Sequence, residues 1–174
     1  MHVAAVCRAL GQAAGKLGDD GELAELFGAF TETNYPLLPA MGVAWEEFRA
    51  SCYPDEQLMW QPCELERDGL FGNPDGLLPE QPGLWECKLT TKKYKKPERG
   101  RSHVDECWLY LKQGLCYCAM SGLDTVQYDV NWMLGDYSRP YRPVVTNTIV
   151  QFSETEIENW WDVVVKTAAE VKPE

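Results

Sequence analysis

The spacing of hydrophobic and polar residues changes period along the chain, and each change marks an element. Residues 3–16 are rich in alanine and other good helix formers and read as a helix. In DGELAELFGAFTE at 20–32, Leu23, Leu26, Phe27 and Phe30 recur at helical spacing. Pro36 and Pro39 in YPLLPAMG break that pattern, and VAWEEFRASCY offers a further turn or two of helix. From residue 60 the period shortens to two. WQPCELERDGL roughly alternates and reads as a strand, GNPDG at 72–76 as a turn, and GLLP as a second short strand. LWECKLT at 84–90 alternates cleanly: Trp85, Cys87 and Leu89 share one face, Glu86, Lys88 and Thr90 the other. Residues 103–121 read as a long amphipathic helix with Ser102 as its N-cap, and TVQYDVNWML and RPVVTNTIVQF as strands on either side of GDYSRPYRP. The last segment opens on a capping box, Ser153 and Glu156, and predicts a C-terminal helix over 153–170. This order predicts an α/β (α+β) fold with a central mixed β-sheet flanked by helices. It occupies a single domain, 1–174, with a helical N-terminal region at 1–40.

Composition narrows the picture. A chain of 174 residues with 45% hydrophobic residues suits one domain with its own core. No apolar run approaches the roughly 20 residues that span a bilayer, and the start lacks a basic stretch leading into a long apolar one. The expectation is a soluble, cytoplasmic protein without membrane contact. Seven cysteines, an odd count with no CxxC pair, read as small apolar residues in a reducing compartment. Two histidines leave little material for a histidine metal site or a Ser-His-Asp triad. The formal charge of −11 is unevenly spread: Lys88 to Arg101 holds seven cations and one acid, a net +6, so the remainder carries −17. A basic segment on an acidic body marks a place for an anion, although a solvated loop would read the same way.

Candidate chemistry gathers around that segment. Taken singly, Asp75 in NPDG is a turn residue. Glu86 and Lys88 share one face of a strand whose other face is apolar. If that strand is central, both charges are covered and need a partner or a metal. Gln113 and Tyr117 stand one helical turn apart, with Glu106 and Tyr110 continuing their stripe and Leu111, Leu115 and Ala119 on the apolar one. A stripe of that kind also suits a helix surface. Their order is more specific than any member: NPDG, then ECK with eleven positions from Asp75 to Glu86, then QGLCY with Gln113 25 positions after Lys88. This order resembles the PD-(D/E)XK nuclease superfamily, and Gln-x-x-x-Tyr resembles its RecB-like branch, which includes the lambda-type (YqaJ-like) phage exonucleases. GVAWE at 42–46 matches the Gly-x-x-x-Glu element of that branch with Gly42 and Glu46, with Glu47 as the neighbouring alternative. The resemblance spans residues 42–135, the expected catalytic core.

The resemblance implies a restriction-endonuclease-like core and a divalent-metal-dependent DNA exonuclease, a phage-type recombination or repair enzyme acting on linear DNA. The implied cofactor is Mg²⁺ or Mn²⁺, held by Asp75, Glu86 and the backbone carbonyl of Cys87, with Glu46 completing the shell. Lys88 would orient the nucleophile or offset charge, and Gln113 and Tyr117 would contact the water, the phosphate or Lys88. Lys92, Lys93, Lys95, Lys96, Arg99 and Arg101 would then meet DNA phosphates, with Tyr94 stacking on a base or sugar. No cysteine follows Cys118, so the iron–sulfur cluster of some RecB-like nucleases is not expected. By the same resemblance the partners are DNA, further copies of the chain in a trimeric ring, and a single-strand annealing protein. Three other readings stay open: a structure-selective endonuclease of the same superfamily, a non-catalytic DNA- or protein-binding module, and an unrelated interaction domain.

Overall fold

The computed structural model describes residues 1–15, 37–54, 56–62, 64–90, 93–97, 104, 107–140 and 142–170. The apolar stripe expected at 20–32 and the Ser102 cap lie outside these residues. Helix α1, Val3–Ala13, starts where the His2 ring accepts a hydrogen bond from the Ala4 amide at 3.1 Å. Helix α2 spans Leu37–Ala50. It therefore begins inside YPLLPAMG, which the proline count had marked as a break. Pro39 falls in the first turn, where a missing N–H costs no hydrogen bond and the fixed φ suits a helix.

The alternating run from residue 60 is not one strand. Strand β1 is Met59–Trp60, and β2, Leu65–Arg67, and β3, Leu70–Gly72, form a separate hairpin. Arg67 pairs with Leu70, which leaves Asp68 (φ 53°) and Gly69 (φ 74°) as a two-residue turn with both φ positive. Asp-Gly is the favoured pair for that turn, so the dipeptide folds the run back on itself. Strands β4, Gly76–Leu78, and β5, Gly83–Thr90, follow as the alternation predicts. Helix α3, Trp108–Ser121, starts later than 103 and has no side-chain N-cap bond. It ends at Gly122, whose left-handed φ of 74° lets its amide reach the Cys118 carbonyl. Strands β6, Thr125–Trp132, and β7, Val144–Gln151, lead into helix α4, Glu154–Glu170. The capping box forms: the Ser153 amide donates to Glu156 Oε2 at 2.9 Å and the Glu156 amide to Ser153 Oγ at 3.3 Å.

The main sheet runs β1-β4-β5-β6-β7, with β5 and β6 parallel and the other pairs antiparallel. A parallel pair needs a crossover, and α3 supplies it. On that face α1, α3 and α4 cover Leu84, Val126, Tyr128, Val130 and Trp132. On the other face α2 packs over Trp85, Cys87 and Leu58. The mixed, helix-flanked α/β sheet expected from the pattern is therefore present, with β5 at its centre. No helix among the described residues is long and apolar enough to cross a membrane.

Gly114 lets α3 settle directly on β6. A Cβ there would collide with the Tyr128 hydroxyl, which donates to the Tyr110 carbonyl at 3.0 Å. Helix propensity alone would favour alanine by about 1 kcal/mol. Gly114→Ala is instead expected to lower stability by about 2 kcal/mol through overpacking. Adding Tyr128→Phe should recover part of that loss, and urea denaturation of the two single variants and the double variant measures the coupling.

Candidate active site

The site forms where β4 leaves β5. The ladder between them begins at Gly76 opposite Trp85. A Cβ at Gly76 would lie 2.7 Å from Leu58 Cδ1 and 3.0 Å from the Trp85 ring, so only glycine lets the strands close here. One residue earlier, Asp75 continues the pairing with its side chain. Its Oδ2 accepts from the Cys87 amide at 2.8 Å and from Lys88 Nζ at 2.9 Å, and its own amide donates to Glu86 Oε1 at 3.4 Å. The NPDG bend thus does two things: it turns the chain and it places a carboxylate against the central strand.

Glu86 has no solvent exposure. Its Oε2 lies 2.5 Å from Lys88 Nζ, a close ion-pair contact. Burial and then the charge of Asp75 push the Glu86 pKa up to about 7, with Lys88 pulling the other way. Burial works against the Lys88 charge, but Asp75 and Glu86 outweigh it and hold the lysine well above its ordinary pKa. Lys88 is therefore an ammonium at neutral pH, clamped between two carboxylates.

Helix α3 brings Tyr117 to the same place. Its ring fills the space left by Gly72, where a Cβ would come within 2.6 Å of Tyr117 Cε1. Tyr117 is buried, and burial together with the charge of Glu86 raises its pKa, so the phenol keeps its proton. Gln113 is half-buried one turn earlier on the same helix. From the opposite face, α2 presents Glu46, half-buried, whose Oε1 accepts from the Trp60 indole at 2.9 Å. Burial raises its pKa, the Trp60 bond opposes that, and Asp75 and Lys88 both lie close enough to be felt. Glu47 is exposed, which separates the two neighbours. Gly42 has nothing within 4 Å of an added Cβ, so no contact requires glycine there.

The Cys87 thiol lies in the apolar cluster under α2, and burial raises its pKa far above the ordinary thiol value. Only its backbone faces the site. Because the N–H and C=O of a strand residue point to the same neighbour, the Cys87 carbonyl faces the Asp75 side with its amide. Among the described residues no three His, Cys, Asp or Glu side chains converge tightly enough to hold a metal ion. The reason is visible: Lys88 occupies the position between Asp75 and Glu86, and Trp60 holds Glu46. The donors are hard oxygens, among them those of a fully buried carboxylate, and that set suits a divalent cation such as Mg²⁺.

Beyond β5, Lys93, Lys95 and Lys96 are exposed. Tyr94 is half-buried, its ring edge-on to Trp132 at 6.0 Å, which turns it toward the core rather than toward a base. Lys92, Arg99 and Arg101 lie outside the described residues.

The sequence reading missed Asp129. It is fully buried on the α2 side of β6. Its Oδ2 accepts from Arg49 Nε and Nη2 at 3.2 and 2.8 Å, from the Tyr53 hydroxyl at 3.0 Å and from the Trp85 indole at 3.0 Å, while Oδ1 accepts from Asn147 at 2.6 Å. Arg49 stands one turn after Glu46, so this ion pair pins the helix that carries Glu46. The signal was present in TVQYDVNW, where Gln127, Asp129 and Asn131 share one strand face.

No family model and no curated protein matches the chain. Solved structures do. The alkaline exonuclease LHK-Exo from Laribacter hongkongensis superposes with a TM-score of 0.54 at 16% identity, over 98% of this chain and 86% of that one. The same exonuclease in complex with dAMP gives 0.53 at 16% identity over the same shares. A protein described as SSO0001 gives 0.52 at 12% identity, over 95% of this chain and 75% of that one. At such identities the likeness is one of architecture: the chain has the fold of the alkaline exonuclease it resembles, as the order of its motifs leads one to expect.

Proposed function

We propose that the chain is a divalent-metal-dependent exonuclease that hydrolyses phosphodiester bonds of linear DNA, with Asp75, Glu86 and Lys88 at its centre. The observation that carries the reading is the meeting of the Asp75 and Glu86 side chains at one ammonium, 2.9 and 2.5 Å from their oxygens, beside the Cys87 backbone. Two carboxylates gathered on one cation are a donor set that a divalent ion could take over. The fold shared with an alkaline exonuclease supports the same reading, as does the order of motifs that resembles a phage recombination or repair enzyme.

Asp75, Glu86 and the Cys87 carbonyl would hold the cation, with Glu46 adjoining. Once bound, the ion would supply an activated water and neutralise the phosphate. Asp75 and Glu86 hold Lys88 as an ammonium in this clamp, and beside a bound cation its part would be to orient the nucleophile or offset charge as the bond breaks. Tyr117 also keeps its proton and serves as a hydrogen-bond donor from the roof of the site. Gln113, on the same helix, orients the water or the phosphate.

Two outcomes are expected. With 5′- and 3′-end-labelled linear duplexes and Mg²⁺, the chain should release mononucleotides, and Asp75→Ala should lower the rate by at least about 10³-fold. Covalently closed circular DNA should be left intact, whereas nicking of the circle would make the chain an endonuclease and no cutting at all would remove the reading. The second outcome concerns pH. Because the folded pKa of Glu86 is raised from 4.5 to about 7, its contribution to stability is complete below pH 4.5 and is lost as pH rises through 7. That loss is about 3 kcal/mol, and Glu86→Gln should remove it. Mg²⁺ should raise the melting temperature of the wild type more at pH 8 than at pH 6, because the ion displaces the Glu86 proton, and should do little for Glu86→Gln. Thermal denaturation across pH 5–8, with and without the metal, reads both effects.

A further inference from the structure

The lysines after β5 do not stand alone. The described residues of the β6–β7 connection, 133–140 with 142 and 143, fold back against them. The Met133 amide donates to the Thr90 carbonyl at 3.0 Å, and the Tyr94 amide donates to the Gly135 carbonyl at 2.7 Å. Tyr94 packs on Trp132 at the end of β6, and Lys93 Nζ lies 6.0 Å from the centre of the Tyr137 ring. Gly135 has a positive φ of 54°, and a Cβ there would collide with the Arg142 carbonyl, so the two ends of the connection meet at that point. The contact that closes the connection therefore sits beside the contact that ties it to Tyr94. Arg139 and Arg142, with Asp136, Ser138 and Pro140, line a shallow concavity on this structure.

Two segments more than 40 residues apart thus meet, with exposed Lys93, Lys95 and Lys96 on one and exposed Arg139 and Arg142 on the other. Asp136, in the same connection, accepts a hydrogen bond from the Ser138 amide at 2.9 Å. Both segments leave the sheet at Thr90 and Trp132, the paired ends of the parallel strands. Thr90 is two residues beyond Lys88, about 7 Å along the strand. On a chain of net charge −11, a cationic pair of segments leaving the strand that carries Lys88 and its parallel neighbour is where a polyanion can lie.

We propose that Arg139 and Arg142 form the second half of a DNA-backbone clamp, gripping phosphates of the duplex beyond the one held at Lys88. The assignment rests on the nuclease reading and extends it to a connection that the basic run in the sequence does not include. Arginine suits the task because its planar fork meets phosphate oxygens two at a time. A duplex is favoured over an acidic protein because both segments leave the sheet at the paired ends of β5 and β6, two residues beyond Lys88.

The test is fluorescence anisotropy of a fluorescein-labelled blunt duplex of about 20 base pairs, titrated without divalent metal over about 50–200 mM KCl. Arg139→Ala with Arg142→Ala is expected to weaken binding about tenfold near 100 mM KCl. It should also lower the slope of log K against log[KCl] by about 2, close to one unit for each phosphate contact removed. Arg139→Lys with Arg142→Lys should restore most of the slope, because the charge is kept. An unchanged slope in the alanine variant, beside a lowered slope in Lys93→Ala with Lys95→Ala and Lys96→Ala, would overturn the clamp and leave the nuclease reading standing. If the wild type itself shows no salt-dependent DNA binding and cuts no duplex, the nuclease reading falls and the clamp with it.

Discussion

A carboxylate without solvent exposure in the central strand governs this molecule. Glu86 sits between two hydrogen-bonded neighbours, under a helix, where an ionised group costs several kcal/mol unless something answers it. Lys88 answers the charge and the Asp75 amide answers one oxygen. Each depends on a local device. Lys88 shares the face of Glu86 because strand side chains alternate, and Asp75 reaches the strand because the NPDG bend ends at a glycine that tolerates the Trp85 ring. The surrounding glycines serve the same end: Gly72 admits the Tyr117 ring, and Gly114 lets α3 settle on Tyr128.

Asp129 offers a comparison within one molecule. It lies on the neighbouring strand, equally buried, facing the opposite helix layer. Both of its oxygens accept hydrogen bonds, from Arg49, Tyr53, Trp85 and Asn147. A carboxylate satisfied in this way is a fastening, here one that fixes α2 over the sheet. Glu86 differs in that its oxygens meet the Asp75 amide and a Lys88 ammonium that is itself shared with Asp75. The contrast separates a carboxylate fixed by four side chains from one held by a shared cation, with Glu46 carried on the helix that Asp129 fastens.

The features legible in the sequence were those set by local physics. Strand β5 could be read because its alternation is uninterrupted, and α4 because a capping box is a short-range reciprocal bond. Asp75, Glu86 and Lys88 could be grouped through their order along the chain, which resembles a nuclease motif, and the short bend-to-strand connection lets them meet. What escaped depended on distance or on a local signal overruled by another. The start of α2 hid behind Pro39, which is tolerated in a first turn but reads as a breaker. The Asp68-Gly69 turn was masked by the alternation on either side of it. Tyr94 reads as a stacking residue among lysines, yet Trp132, 38 positions later, draws it inward. Asp129, Arg139 and Arg142 gain their meaning only from partners that tertiary folding brings to them.

The central claim, that the buried Glu86 and the bend carboxylate together receive a divalent ion, is most directly tested by anomalous diffraction at the manganese edge from crystals soaked in Mn²⁺. The account expects one strong peak within bonding distance of Asp75 and Glu86 Oε2, with the Lys88 ammonium shifted away from the two carboxylates. Density that shows Lys88 still clamped between them, with manganese absent or bound elsewhere, would contradict it.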